Sequence, residues 1–518
     1  MTVDLAKVAA ERGIKYFLIS FTDLFGAQRA KLVPAAAIAE MAANGAGFAG
    51  FATWLDMTPA DPDMFAKPDP ASLIQLPWKP EVGWLAADLW MSGKPVEQAP
   101  RNLLKGLIAK AGAKGLQMKT GVECEFFLIT PDGSEIADGA DRQAKPCYDQ
   151  QALMRRYDVI TEICDAMLSL GWKPYQNDHE DANGQFEMNW HYDDALLTAD
   201  RHAFFKYMAK SIAEKHGLRA TFMPKPFPTL TGNGCHCHVS LWKGGDNAFE
   251  DEGGELGLSS LGYNFMGGLI HSAEGLAALL NPTVNSYKRI NAPRTTSGAT
   301  WSPNSVTYTG NNRTHMIRIP EPGRFELRLA DGAANPYLLQ SGILAAGLDG
   351  IDNARDPGKR LDINMYTDGH TVGPVKKLPL NLLDALRADQ PDGEFLQAHQ
   401  RAGDAVGRHL VAQHRHLHRQ QPHPHDPHPR ARPLRVPPAG RGGQSLPAAG
   451  GPSRRRHGRH RQRPRSGEAP RHQHVHRRPH RRRREETPSE PARRPARLRS
   501  LAGGGRSFRR LRLGVRQA

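Results

Sequence analysis

Several things are scarce or missing in this 518-residue chain, and each absence narrows what it can be. Cysteine is sparse: Cys124, Cys147, Cys164, Cys235 and Cys237 show no even framework of the kind that staples small secreted domains, so a reducing cytoplasm is the simplest setting. No stretch of about 18 uninterrupted apolar residues offers a membrane span. The opening MTVDLAKVAAERG contains acidic residues and no long apolar run, so it does not read as a signal peptide. Lysine vanishes near the end: from Arg401 onward there are 31 Arg, no Lys and 6 acidic residues, which leaves residues 1–400 at −9 although the whole chain carries +16. The folded part is therefore mildly acidic, and neither a membrane nor a specific nucleic-acid partner is expected. A GxxxxGK[ST] loop is absent, as is a kinase Gly-rich loop with HRD and DFG companions, and no solenoid repeat is visible.

The length exceeds what one core usually spans. Residues 1–100 alternate short apolar runs (KYFLISF, AKLVP, SLIQLPW, VGWLAADLWM) with Pro/Gly/Asp turns, which predicts a small sheet-rich domain. Residues 101–395 interleave amphipathic segments (RNLLKGLIAKAG, ALMRRYDVITEICDAMLSLG, RHAFFKYMAKSIAEKHG) with strand-like ones, an α+β pattern with helices flanking a mostly antiparallel sheet. Residues 396–518 are rich in Arg, Pro, His and Gly and poor in aromatics, a composition that cannot offset chain entropy by burial, so disorder is expected there. Many Arg without one Lys is what out-of-frame translation of a GC-rich gene would produce, and we read the tail as frameshifted. A selected arginine-rich tail that binds nucleic acid is the competing reading, and resequencing the gene decides between them.

GVECEFFLI, residues 121–129, places Glu123 and Glu125 in an otherwise apolar strand-like run. Residues two apart share one face of a strand, so both carboxylates project together, which is costly unless something positive lies between them. NDHEDANGQFEMNW carries Glu180 and Glu187 on either side of an Asn-Gly turn signal that can bring both to one cavity. TGNGCHCHVSLW puts His236 and His238 on one strand face, with Cys235 and Cys237 read as small core residues; consecutive ligands do not match zinc spacings. RFELRL adds Glu326 and Arg328, while NSYKRI and GNNRTHMIRIP add Arg289, Arg313 and Arg318. Oxygen donors with one imidazole suit Mg²⁺ or Mn²⁺, and clustered arginines suit phosphate or carboxylate groups. Any one of these residues alone is more commonly a surface charge or a salt-bridge partner. Their joint occurrence points to phosphoryl transfer.

These stretches, with FTDLFGAQRAKLVP, APRNLL, ATFMPKPF, NPTVNSYKR and RFELRLADGAANPYL, stand in an order that resembles the glutamine synthetase family over roughly residues 10–390. The resemblance implies a small N-terminal β-grasp domain and a larger catalytic domain with a curved antiparallel sheet flanked by helices. It implies ring-shaped homo-oligomers of dodecamer type, with active sites between neighbouring subunits, and two or more Mg²⁺ (or Mn²⁺) ions per site with ATP as substrate. It assigns Glu125, Glu180 and Glu187 to one ion and Glu123, His236 and Glu326 to another. Gly232 and Arg289 match positions that hold glutamate, with Arg328 near its reacting end. Arg313 and Arg318 match positions facing the nucleotide phosphates, and His238 and Ser240 positions that line the nucleotide pocket. Arg313, Arg328 and Glu326 are thereby the groups expected at the phosphoryl transfer. The implied activity is ATP-dependent amide formation through γ-glutamyl phosphate.

The departures concern the amine. Family members that use ammonium carry a loop glutamate after the SYKR arginine and an aspartate in an FDGSS-like segment. Here the first region reads RINAPRTTSGATWSPN, without an acid, and Ala49 aligns with the aspartate. Losing two negative groups weakens a site for NH₄⁺ and makes room for an apolar substituent. The same segments resemble the GlnT-like, or type III, branch with its γ-glutamylmethylamide synthetases. Glutamate plus methylamine or ammonia is therefore expected, with a polyamine as an alternative acceptor and a non-catalytic relative as the alternative class. Because the tail replaces a helical segment that family members use to close the catalytic domain, the chain as written is expected to fold poorly or to be inactive.

Overall fold

The computed structural model describes residues 3–290 and 301–387; the stretch assigned to 396–518 and residues 291–300 of the acid-free segment lie outside it. Two sheets carry the described fold. The first has seven strands, with Gln28–Pro34, Tyr16–Thr22, Val82–Met91, Met64–Pro68 and Ala46–Phe48 side by side and two short strands added on Val82–Met91. Tyr16–Thr22 runs antiparallel to Gln28–Pro34 and parallel to Val82–Met91, so this sheet is mixed. VGWLAADLWM is apolar except for Asp88 because both of its faces are covered. Leu85, Ala87 and Leu89 join Phe17, Ile19 and Ile38 in one core, whereas Val82, Trp84 and Ala86 join the larger core of the second sheet. Of SLIQLPW, only Ile74–Gln75 is strand.

The second sheet has ten strands and centres on the long strand Leu116–Ile129. Cys235–Lys243 pairs antiparallel along one edge of that strand and Gln185–Trp190 along the other. Arg324–Leu327, Ile317–Glu321 and Tyr308–Thr309 extend one side and Pro174–His179 the other; the Tyr308–Thr309 pairing is parallel. Helices Pro100–Ala113 and Ala195–Lys215 pack against the central strand, and Pro336–Asp352 packs against both helices. The segment ALMRRYDVITEICDAMLSLG, expected as one helical stretch, is broken at Arg156 (φ −113°, ψ 18°) into Gln150–Arg155 and Tyr157–Ser169. Arg156 donates from Nη2 to Ala137 O (2.8 Å), and Arg155 pairs with Asp138, which ties the break to the preceding loop.

A buried ion cluster joins the two sheets' layers. Arg101, 4% exposed, binds Asp69, Asp88 and Asp200 at 2.5–2.9 Å, and the Tyr337 hydroxyl donates to Asp200 at 2.8 Å. Among the described residues no helix is long and apolar enough to cross a membrane.

Candidate functional site

The face of the second sheet opposite its hydrophobic core opens into a cleft of about 250 Å³ lined by Glu123, Glu125, Glu180, Glu187, Gly232, His236, Arg289, Arg313 and Arg328, among others. Backbone register explains the convergence. In the ladders His236 stands opposite Glu123, Glu187 opposite Glu125, and Glu326 opposite both His238 and Arg318. The turn between Pro174–His179 and Gln185–Trp190 brings Glu180 back to Glu187. Two groups result. Donor atoms of Glu125, Glu180 and Glu187 lie within 4.8 Å of one another, as do those of Glu123, His236 and Glu326.

Each carboxylate is held. Glu125 Oε2 accepts from Gly234 N (2.7 Å) and Gln185 Nε2 (2.9 Å); Glu187 Oε1 accepts from Asn189 Nδ2 (2.7 Å); Glu180 Oε2 accepts from Asp181 N (2.6 Å). A Cβ on Gly234 would stand 2.7 Å from Glu125 Oε1 and 2.9 Å from Arg289 Nη2, so glycine is what lets the backbone approach. Burial first, and neighbouring carboxylates second, push Glu180 and Glu187 well above the ordinary range. Burial likewise pushes Glu125 up to about 7, against the pull of Arg289.

The second group differs. Burial opposes ionisation of Glu123, but hydrogen bonds from His236 and His238 outweigh it and hold the carboxyl well below the usual range. His238 Nε2 donates to Glu123 Oε1 at 2.7 Å, and its other nitrogen meets Arg324. His236 Nδ1 faces Glu123 (3.0 Å), Glu326 (3.6 Å) and Glu125 (4.0 Å). Burial and the Arg328 guanidinium hold its pKa down to about 4, leaving a neutral ring that can offer a lone pair to a cation. Glu326 is fully buried between Arg318 and Arg328.

The donor set fits hard divalent cations: carboxylate oxygens with one neutral imidazole in one group, and three carboxylates in the other. Among the remaining expected residues, Arg289 and Arg328 are 4% and 1% exposed, and Arg328 Nη2 donates to Trp301 O at 3.3 Å. Arg318 points to Glu326 and Asn311, outside the lining of the cleft. Ser240 accepts from Trp242 Nε1 at 3.0 Å and also lies away from that lining, as His238 does. Cys235 and Cys237 are core residues, 1% and 0% exposed. Cys124, Cys235 and His202 converge within 4.8 Å on the apolar side of the sheet, with only three donors and no oxygen among them.

Other lining residues carried no signal in the sequence. Tyr148, Tyr175 and Trp301 supply aromatic surface. Asp178 belongs to neither group; its Oδ1 is buried without a partner among the described residues, and burial, then Glu123, raises it to about 6. Asp178 precedes the HE pair of NDHEDANGQFE, so its place beside a ligand candidate was the one available hint.

A sequence model of the glutamine synthetase catalytic domain matches residues 97–426. The chain belongs to the glutamine synthetase family. Enzymes of this family are ligases that use ATP and divalent metals. Over 400 residues the chain is 69% identical to a glutamine synthetase of Rhizobium meliloti (strain 1021), covering 77% of this chain and 92% of the relative. It is 43% identical over 391 residues to a glutamate–methylamine ligase of Methyloversatilis universalis, covering 74% and 88%. A solved structure of GmaS in complex with ADP is 66% identical and superposes with a TM-score of 0.76, covering 82% of this chain and 98% of that one. The α+β architecture is therefore that of the glutamine synthetase fold.

Proposed function

We propose that this protein joins the γ-carboxylate of glutamate to methylamine or ammonia at the expense of ATP, through γ-glutamyl phosphate. The observation that carries the reading is the meeting in one cleft of Glu125, Glu180 and Glu187 with Glu123, His236 and the buried Arg289 and Arg328, Glu326 being buried 3.6 Å from His236. Glu125, Glu180 and Glu187 would hold one Mg²⁺ or Mn²⁺, and Glu123, His236 and Glu326 the other. Such ions, when bound, neutralise phosphate oxygens and polarise the transferring group. Gly232 and Arg289 receive glutamate, since a bidentate guanidinium matches a carboxylate. Arg328 stands beside the reacting end, and Arg313, exposed at the cleft, faces the phosphates. Arg318 and His238 act one step back, orienting Glu326 and Glu123, and Ser240 belongs with His238 on the nucleotide side. Asp178 lines the cleft and offers its carboxyl to an amine N–H, and Tyr148, Tyr175 and Trp301 give an alkyl substituent apolar surface. The similarity to a glutamate–methylamine ligase and to GmaS supports methylamine over a polyamine.

Residues 1–100 and 101–395 serve as two domains of a cytoplasmic ring-shaped homo-oligomer, in which the half-exposed Phe51 and Trp54 are available for a neighbouring subunit. The deciding experiment measures phosphate release with Mg²⁺, ATP and glutamate, offering ammonium, methylamine or a polyamine at matched free-amine concentration. Methylamine is expected to give a kcat/KM at least equal to that of ammonium. A far higher value for ammonium would sink the amine assignment. Silence in every lane, with the chain as written and with a family-like C-terminus in its place, would sink the ligase reading.

A further inference from the structure

Behind the cleft stands a buried pair that the proposed reaction does not use. Asp141, 3% exposed, lies on the loop between the strand Leu116–Ile129 and the helix Gln150–Arg155. Its Oδ2 accepts from His179 Nε2 and from Gly184 N, each at 2.7 Å, and its Oδ1 accepts from Asn183 Nδ2 at 2.9 Å. The other ring nitrogen of His179 meets Glu180 O at 3.0 Å. The same loop adds two further ties: Asn183 Nδ2 donates to Gln143 O (3.2 Å), and Tyr148 N donates to His179 O (2.7 Å). All of these bonds end within residues 179–184, the turn that carries Glu180 and sets the start of the strand bearing Glu187. Gly184 closes this turn at φ +75°, and a Cβ there would meet Ile136 at 2.8 Å, so the turn is also packed against the loop's base.

Three buried carboxylates repel one another whenever no cation stands between them. A two-stranded turn at the edge of a sheet would relieve that repulsion by opening, unless something holds it from behind. We propose that Asp141, acting with His179, is a positioning residue: it pins the 179–184 turn so that Glu180 and Glu187 converge with Glu125, and so sets the cation affinity of that group and not of Glu123, His236 and Glu326. The pin also fixes Tyr148, because one loop carries both, so the cation group and the aromatic wall of the cleft move as one piece. This rests on the reading of Glu125, Glu180 and Glu187 as a cation site.

The test is Mn²⁺ binding to the full chain without nucleotide, followed by electron paramagnetic resonance of free Mn²⁺, in the wild type, Asp141→Ala and Asp141→Asn. The wild type is expected to show two classes of ion. In Asp141→Ala one class weakens by ~10–100-fold, the usual scale for losing a partner that orients a ligand, while the other is unchanged. The Mn²⁺ concentration for half-maximal phosphate release rises in step, and kcat at saturating Mn²⁺ stays within a few-fold. Asp141→Asn retains one acceptor oxygen and similar volume, and falls between. Unchanged Mn²⁺ affinity in both variants, or a lowered Tm with both ion classes intact, overturns the pin alone. A wild type that binds no Mn²⁺, both as written and with a family-like C-terminus in place of the tail, overturns the pin together with the ligase reading.

Discussion

Glu123 and Glu125 are two residues apart on one strand, yet the fold treats their two groups in opposite ways. Glu123 receives hydrogen bonds from His236 and His238, and Glu326 is clamped between Arg318 and Arg328. Glu125, Glu180 and Glu187 are held by amide N–H groups and face one another. One group is balanced by hydrogen bonds from two imidazoles and by the Arg318 and Arg328 guanidinium groups. The other, with only the pull of Arg289 and Arg328 on Glu125, keeps carboxyls that burial and mutual repulsion push above the ordinary range, an imbalance that a bound cation relieves. Sequence spacing alone does not distinguish the two, because both are strand glutamates in apolar surroundings; cross-strand partners make the difference.

The sharpest way to break this comparison is to neutralise one carboxylate in each group. Glu180→Gln and Glu326→Gln should each lower phosphate release by at least about 10²-fold, the scale of losing one preorganised charge contact. Their stabilities should diverge. In EDTA at neutral pH, Glu180→Gln is expected to raise Tm, because a carboxyl whose pKa the fold pushes up costs stability at that pH and an amide does not. Glu326→Gln leaves two buried guanidinium groups without their shared partner, a loss of about 3–5 kcal/mol on the scale of broken buried pairs. Thermal melts of both variants in EDTA check this, and shifts of the same sign would refute the contrast.

This contrast also marks what could be read without coordinates. Period-two alternation in GVECEFFLI was enough to place Glu123 and Glu125 on one face, and the Asn-Gly signal was enough to fold Glu180 toward Glu187. The helix-like texture of RNLLKGLIAKAG became Pro100–Ala113, and RHAFFKYMAKSIAEKHG became part of the longer Ala195–Lys215. Register between distant strands was not legible. That His236 faces Glu123 depends on pairing residues more than a hundred positions apart, and hydrophobic period cannot fix such an offset. Asp141 and Asp178 escaped for related reasons: Asp141 sits in a loop, where an acid signals only a turn until its partners are known, and Asp178 sits on the strand Pro174–His179, whose cross-strand partner Glu187 only the register reveals. The break at Arg156 was equally hidden, since it answers to Asp138 and Ala137 in a loop and not to any helix-breaking residue.

A cation should sharpen the comparison from the other side. If the Glu125 group is the one short of positive charge, Mg²⁺ or Mn²⁺ should raise Tm in the wild type, by the equivalent of about 2.7 kcal/mol at a hundredfold excess over Kd. Glu180→Gln should lose most of that gain, while Asp178→Asn should keep it and instead raise the KM for the amine. A cation response in Glu180→Gln equal to that of the wild type would place the charge deficit elsewhere.

The smallest effect expected is on pH dependence, and its sign separates the groups. Glu125 is raised to about 7 in the fold, and Glu180 and Glu187 are raised as well, so each contributes stability that is present below the ordinary carboxylate range and is lost as pH climbs through the folded value. Glu123 and Glu326 are lowered, so their contribution is present above the ordinary range and is lost only on strong acidification. In EDTA, then, Tm should fall between pH 6 and pH 8 as Glu125 ionises against its neighbours. Saturating Mg²⁺ should flatten or reverse that slope, because the ionised carboxylates are the ones that bind it. Melts at the two pH values with and without the ion measure this directly. A slope that Mg²⁺ leaves untouched would mean that the three raised carboxylates do not share a cation.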